Sequence, residues 1–249
     1  MQDAKTRTAR IGRLLGYLLD GVPPLAGEAL ERLLEEWLGA SSRFQAFADA
    51  HADKIRKKLR TTADPAARGD VLAELQTAFA LLAERRIDLK FEAYGSGRRG
   101  PDFRVTFRAS HHFNLEVTRP RPPQTDADRA TAIGRAVLAK LRQLPVDAPN
   151  ALLLATGLAG SAEEVTAVMR ETKLRADRRE EEFFAGRGFS TTEFQLFYRR
   201  LGLLLVADSA GSGVHAWTNP EARRALPDGA TAACVACLAN FRWAQESSD

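Results

Sequence analysis

The chain is poor in the residues that mark several large protein classes. Its 249 residues include two cysteines, two methionines, three tryptophans and four histidines. Two cysteines cannot staple a disulfide scaffold. Cys234 and Cys237 stand in C-x-x-C spacing, but no second pair exists to complete a zinc or iron–sulfur site. They read as small buried residues of an apolar segment. With 18 glycines and 11 prolines, collagen-like and low-complexity classes are excluded. No apolar run approaches the roughly 18 residues of a membrane span. The longest, Leu201 to Ala207, is far too short. The apolar stretch at 11–19 is interrupted by Gly12, Arg13 and Gly16, so it reads as an amphipathic helix and not as a signal peptide. Walker A, dinucleotide-glycine and Gly-x-Ser-x-Gly patterns are all missing, which sets aside nucleotide motors, Rossmann oxidoreductases and serine hydrolases. The expectation is a cytoplasmic globular protein that has no membrane partner.

What is present is an uneven charge. The chain carries a net +4, and residues 50–121 hold 15 Lys/Arg against 9 Asp/Glu, a local excess of +6. A basic middle section suggests a polyanionic partner, without identifying it.

The hydrophobic pattern changes period along the chain. Up to about residue 86 it is helical. One helix carries Ile11, Leu14, Leu15, Leu18 and Leu19, and a second, after Pro23-Pro24, carries Leu25 to Leu38. A third runs over 41–60 and ends in the basic run 54–60. A fourth, 66–86, presents Val71, Leu75, Phe79 and Leu82. Then the period becomes two, over 89–94, 102–108 and 112–118. A helix at 126–144 and a continuous apolar strand at 151–155, of the kind buried on both faces, complete the middle. A charged helix at 162–184, a helix-then-strand segment at 192–208, a strand at 214–217 and a helix at 219–226 capped by Asn219 follow. The expected class is α/β. The expected division is a helical region at 1–63, an α/β core at 64–158 and an α/β extension packing on that core at 159–249.

The polar face of the predicted hairpin carries the chemistry. With its centre near residue 110, Asp102 opposes Thr118 and Arg104 opposes Glu116, so the two carboxylates are diagonal neighbours on one face. Carboxylates that close repel unless a cation intervenes, and a hard divalent ion such as Mg²⁺, or Mn²⁺ in its place, suits them. The surrounding arginines Arg98, Arg99, Arg119 and Arg121 suit a phosphate backbone. Together these are the parts for metal-assisted phosphodiester hydrolysis. The plainer reading is a solvated hairpin face with an Arg104–Glu116 ion pair, worth about 0–1 kcal/mol.

Pro101-Asp102 and Glu116-Val117-Thr118, set on helix–strand–strand–strand–helix–strand over residues 66–156, resemble the PD-(D/E)XK nuclease superfamily. The resemblance implies a restriction-endonuclease-like αβββαβ core with a mixed sheet. It implies Mg²⁺ held by Asp102, Glu116 and the carbonyl of Val117, with Glu74 on the preceding helix as a further ligand. It also implies a nucleic acid substrate, DNA first, and often a homodimer that cuts both strands. The family's lysine is replaced here by Thr118. Some members take that lysine from the following helix, which points to Lys140, on the stripe Ile133, Val137, Lys140, Leu144, with Gln143 one turn on and Lys90 as a fallback. His112 shares the hairpin's polar face and is a candidate phosphate contact or general base. The alternatives are a decayed nuclease fold that binds nucleic acid or a protein partner, and an interaction protein whose N-terminal helices carry the partner surface.

Overall fold

The computed structural model describes residues 2–22, 27–62, 64–95, 100–120, 129–156, 162–208 and 213–239. Four helices open the chain, α1 (Gln2–Leu19), α2 (Gly27–Ala40), α3 (Ser42–Ala50) and α4 (Ala52–Thr61). The single helix expected over 41–60 is divided at His51, whose φ of −117° leaves the helical region. Ser41 caps α3 by accepting the N–H of Phe44, and Asp64 caps α5 (Pro65–Leu81) through the N–H of Ala67, with Pro65 in the first turn. Both are the side chains that helix starts prefer.

Three strands, β1 (Ile87–Phe91), β2 (Phe103–Phe107) and β3 (His111–Thr118), are followed by α6 (Arg129–Leu141) and β4 (Asn150–Thr156). The remainder is α7 (Ala162–Asp177), α8 (Glu181–Ala185), α9 (Thr191–Tyr198), β5 (Leu201–Asp208), β6 (Val214–Thr218) and α10 (Ala230–Ala239). The charged helix expected at 162–184 is broken near Arg179, which has a positive φ of 57°. No helix forms over 219–226. Asn219 instead spends its amide on the carbonyls of Tyr198 and Leu201 and accepts the N–H of Glu221. No helix among the described residues is long and apolar enough to cross a membrane.

The protein is α/β, with an N-terminal helical region and an open mixed sheet of six strands in the order β1-β2-β3-β4-β5-β6. β3, β4 and β5 run parallel, and the outer pairings are antiparallel. One apolar layer joins α1–α5 and α10 to the sheet side bearing Phe103, Val105, Leu115, Val117 and Leu153. The other joins α6, α7 and α9 to Leu152, Leu154 and Val206. Adjacent residues of β4 thus serve opposite layers, which is why its middle, Ala151 to Ala155, is continuously apolar. The two layers run across the expected boundaries at 63/64 and 158/159, and β5 and β6 continue the sheet that β1–β4 begin.

The hairpin register differs from the expected one. Phe103 pairs with Leu115, Val105 with Phe113 and Phe107 with His111, so Arg104 opposes Asn114 and not Glu116. The connecting turn keeps three residues but sits one position earlier in the chain, centred on residue 109, and Arg108 and Ala109 within it both take positive φ, 51° and 61°. Neither is the Gly or Asn that advertises such a turn. A shift of two in the register sum preserves which side chains share a face.

At the start of β4, Asn150 is fully buried. Its amide donates to the carbonyls of Pro145, Ala148 and Arg200, and its oxygen accepts from Asn114 on β3. Asn150→Ala leaves these groups without a partner away from water. The expected cost is about 2–4 kcal/mol, read as a lower urea midpoint with an unchanged m-value.

Candidate functional site

The strand registers bring acidic residues into one row. Extending the β1–β2 and β2–β3 pairings by one residue sets Asp102 between Glu92 and Glu116. The Glu92 N–H donates to the Asp102 carbonyl at 2.7 Å, so the first extension is real. Adjacent strands are about 4.8 Å apart, so three acidic residues occupy neighbouring backbone positions at this end of the sheet, and the Asp102 and Glu116 carboxylates lie close enough to act on each other. Asp102 lies just outside β2. Its Oδ2 accepts the Val117 N–H at 2.9 Å, continuing the ladder where strand pairing stops. Glu92 takes a positive φ of 43°, which turns the chain away from the strand there.

Two lysines answer this row from different elements. Lys140 of α6 places Nζ 2.6 Å from Oε1 of Glu116. It lies on the stripe whose other members, Ile133, Val137 and Leu144, are buried. Lys58 of α4 places Nζ 2.6 Å from Oε2 of Glu74, 3.5 Å from Glu92 and 3.6 Å from Oδ1 of Asp102. It also lies 4.9 Å from the centre of the Phe91 ring. Glu74, which the resemblance names as a further ligand, is buried on α5 and held by Lys58.

The electrostatics follow from burial. Glu116 is 2% exposed, and its Oε2 has no hydrogen-bond partner among the described residues. Loss of water and the neighbouring Asp102 push its carboxyl up to about 7, although Lys140 pulls the other way. Burial and Asp102 also push Glu74 well above the usual carboxylate range, against the pull of Lys58. Burial opposes the charge of both lysines, but the carboxylates outweigh it. Glu74, Asp102 and Glu92 hold Lys58 protonated, and Glu116 above all holds Lys140 so.

Among the described residues no three carboxylate, imidazole or thiol groups stand together as a ready-made metal cage. The donor chemistry nevertheless fits a hard divalent cation. The donors are carboxylate oxygens, and one of them, Oε2 of Glu116, is buried and unpartnered.

The other sequence candidates are spread more widely. Thr118 ends β3 beside Leu154. Arg119 follows it, within 3.8 Å of Asp70. Gln143 is half-buried in the turn after α6, its N–H bonded to the Lys140 carbonyl. That helix ends at Leu141, short of the expected 144. Lys90 is exposed on β1. His112 is exposed, bonded to Thr106. It lies four residues along the strand from Glu116, about 13 Å away, so it is separated from the row. Arg98, Arg99 and Arg121 lie outside the described residues.

Sequence reasoning missed Glu92 and Lys58. Within the basic run 54–60, Lys54 and Lys58 turn inward. Lys54 donates to the carbonyls of Phe91 and Glu92. A signal existed, because Ile55, Lys58 and Leu59 fall on one face of α4 and both apolar members are buried.

The chain gives no match to protein-family models, to curated proteins or to solved structures.

The raised Glu116 carboxyl ties stability to pH. A folded-state pKa above the unfolded one favours the native state at low pH, and the advantage is lost as pH rises from about 4.5 through about 7. The difference corresponds to roughly 3 kcal/mol. With EDTA present, the wild type should unfold at lower urea at pH 8 than at pH 5. Glu116→Gln should remove much of that loss and gain stability at pH 8 only. An equal gain at both pH values would show that burial of this carboxylate is not the cause.

Proposed function

We propose that this protein is a divalent-metal-dependent nuclease of the PD-(D/E)XK kind, hydrolysing phosphodiester bonds in DNA. The observation that carries the reading is the buried Glu116, with one orphaned oxygen, beside Asp102 and against Lys140. A buried carboxylate oxygen without a partner is costly, and a metal ion would give it one. The order α5-β1-β2-β3-α6-β4 agrees with an αβββαβ nuclease core. The basic excess of residues 50–121 suits a phosphate backbone.

Asp102 and Glu116, with the carbonyl of Val117, would hold Mg²⁺ or Mn²⁺. Bound there, the ion supplies Lewis-acid polarisation of the phosphate and a lowered water pKa. The chain's own residues supply the rest. Asp102 is fixed by the Val117 N–H and cannot swing away without breaking it. Lys140 reaches the row from α6 and carries the positive charge that the family's strand lysine carries, where this chain has Thr118. Its ammonium is placed to offset negative charge growing on the phosphoryl oxygens. Arg119 continues β3 past the row and is suited to hold the DNA backbone, together with Arg98, Arg99 and Arg121.

Supercoiled plasmid should be nicked in the presence of Mg²⁺ or Mn²⁺ and left intact in EDTA. Asp102→Asn and Glu116→Gln should each abolish cleavage, and Lys140→Met should slow it by about 10²–10³-fold. Salt-sensitive DNA binding without cleavage of duplex, branched or single-stranded DNA by either metal would favour the decayed-site alternative. Cleavage that survives loss of both carboxylates would overturn the assignment.

A further inference from the structure

The N-terminal helices do more than cover the sheet. Side chains of α3 and α4 fasten onto the backbone around β1, which is the edge strand. Arg43 donates to the carbonyls of Leu82, Glu84 and Ile87. His51 accepts the N–H of Phe91 through Nε2 at 3.4 Å, and Lys54 donates to the carbonyls of Phe91 at 3.0 Å and Glu92 at 2.9 Å. These attachments fix α4 against the end of β1, one turn before Lys58. The amine of Lys58 is then held by Glu74, Glu92 and Asp102 at 2.6, 3.5 and 3.6 Å.

Three carboxylates about one small cation is an arrangement also met around a divalent ion. Here the cation is covalently tied to the fold. The charge count points the same way. With every carboxylate ionised, the state that a bound cation favours, Glu74, Glu92, Asp102 and Glu116 face the ammonium groups of Lys58 and Lys140 and leave a formal −2. One divalent ion neutralises that, and the buried, unpartnered Oε2 of Glu116 marks where an oxygen is still short of a partner. Removing the Lys58 charge would leave −3, more than one divalent ion can neutralise.

We propose that Lys58 is a tethered cation that takes the place of a second divalent ion, so that the site holds one metal and not two. The inference rests on the nuclease reading of the carboxylate row and adds the metal count and its cause. Lys58 is a positioning residue in this scheme. It holds Glu74 and Glu92 and keeps them from recruiting an ion, while Asp102 and Glu116 remain for the metal.

The test is Mn²⁺ titration into the full-length chain, followed by calorimetry and by the electron paramagnetic resonance of free Mn²⁺. The wild type should take up one ion per chain and Lys58→Met two, with Lys58→Arg restoring one. Circular dichroism establishes that each variant is folded. Should Lys58→Met not fold, Lys58→Gln, which keeps an N–H donor for Glu74, is read in its place. Two ions in the wild type overturn the proposal with no variant needed. A folded Met or Gln variant that binds one ion, with affinity within about threefold of wild type, overturns it and leaves the nuclease reading standing. No Mn²⁺ uptake by the wild type overturns both.

Discussion

The structure turns on one unfavourable juxtaposition, in which Asp102 lies between Glu116 of the neighbouring strand and Glu74 of α5 in a largely dry environment, with Glu92 drawn in by Lys58. Like charges at such spacing cost several kcal/mol unless they are met by cations or protons. The chain meets them from two directions, with Lys140 from the layer on one side of the sheet and Lys58 from the layer on the other. Both lysines keep about a quarter of their side-chain surface exposed, while Glu116 keeps almost none. The cations can thus be partly solvated while the anion cannot, which is why Glu116 stays strained even when paired. Removing one partner from such a set is worse than never having built it, so a row of this kind is more easily understood as equipment than as scaffolding.

That constraint explains the helical region. Taken alone, α1–α4 could be an appendage. Their apolar residues, from Leu14 to Leu59, belong to the same layer as Phe91, Phe103 and Val117. Arg43, His51 and Lys54 occupy polar backbone groups beside an edge strand, a position that otherwise invites pairing with another chain. Burial energy and edge protection together hold Lys58 where its charge is needed.

Much of this was legible in the sequence. Strand alternation identified β2 and β3 and put Glu116 on the polar side. The helical stripe through Ile133, Val137 and Leu144 singled out Lys140 as an inward lysine. What stayed hidden depended on tertiary packing or on unusual backbone. The hairpin register was missed because Arg108 and Ala109 adopt left-handed conformations that their side chains do not announce. Glu92 was missed because it belongs to the row only through the continuation of β1 into a turn. Lys58 sat within a run of five basic residues, where one inward side chain is masked by its solvated neighbours. Asn219 looked like a helix cap and instead ties two loops together, since capping and loop-bridging use the same amide chemistry.

The strand order has a bearing on how the chain reaches this state. Every strand pairs with the one before it in sequence, so the sheet can be laid down by successive closures of neighbouring segments. The two closures that build the acidic row are also the shortest in its vicinity. Three residues separate β2 from β3 and eleven separate β1 from β2, against thirty-one between β3 and β4. Entropy of closure grows with span, so the electrostatic burden falls on the part of the topology that is least costly to assemble, and the long crossover that delivers Lys140 completes it.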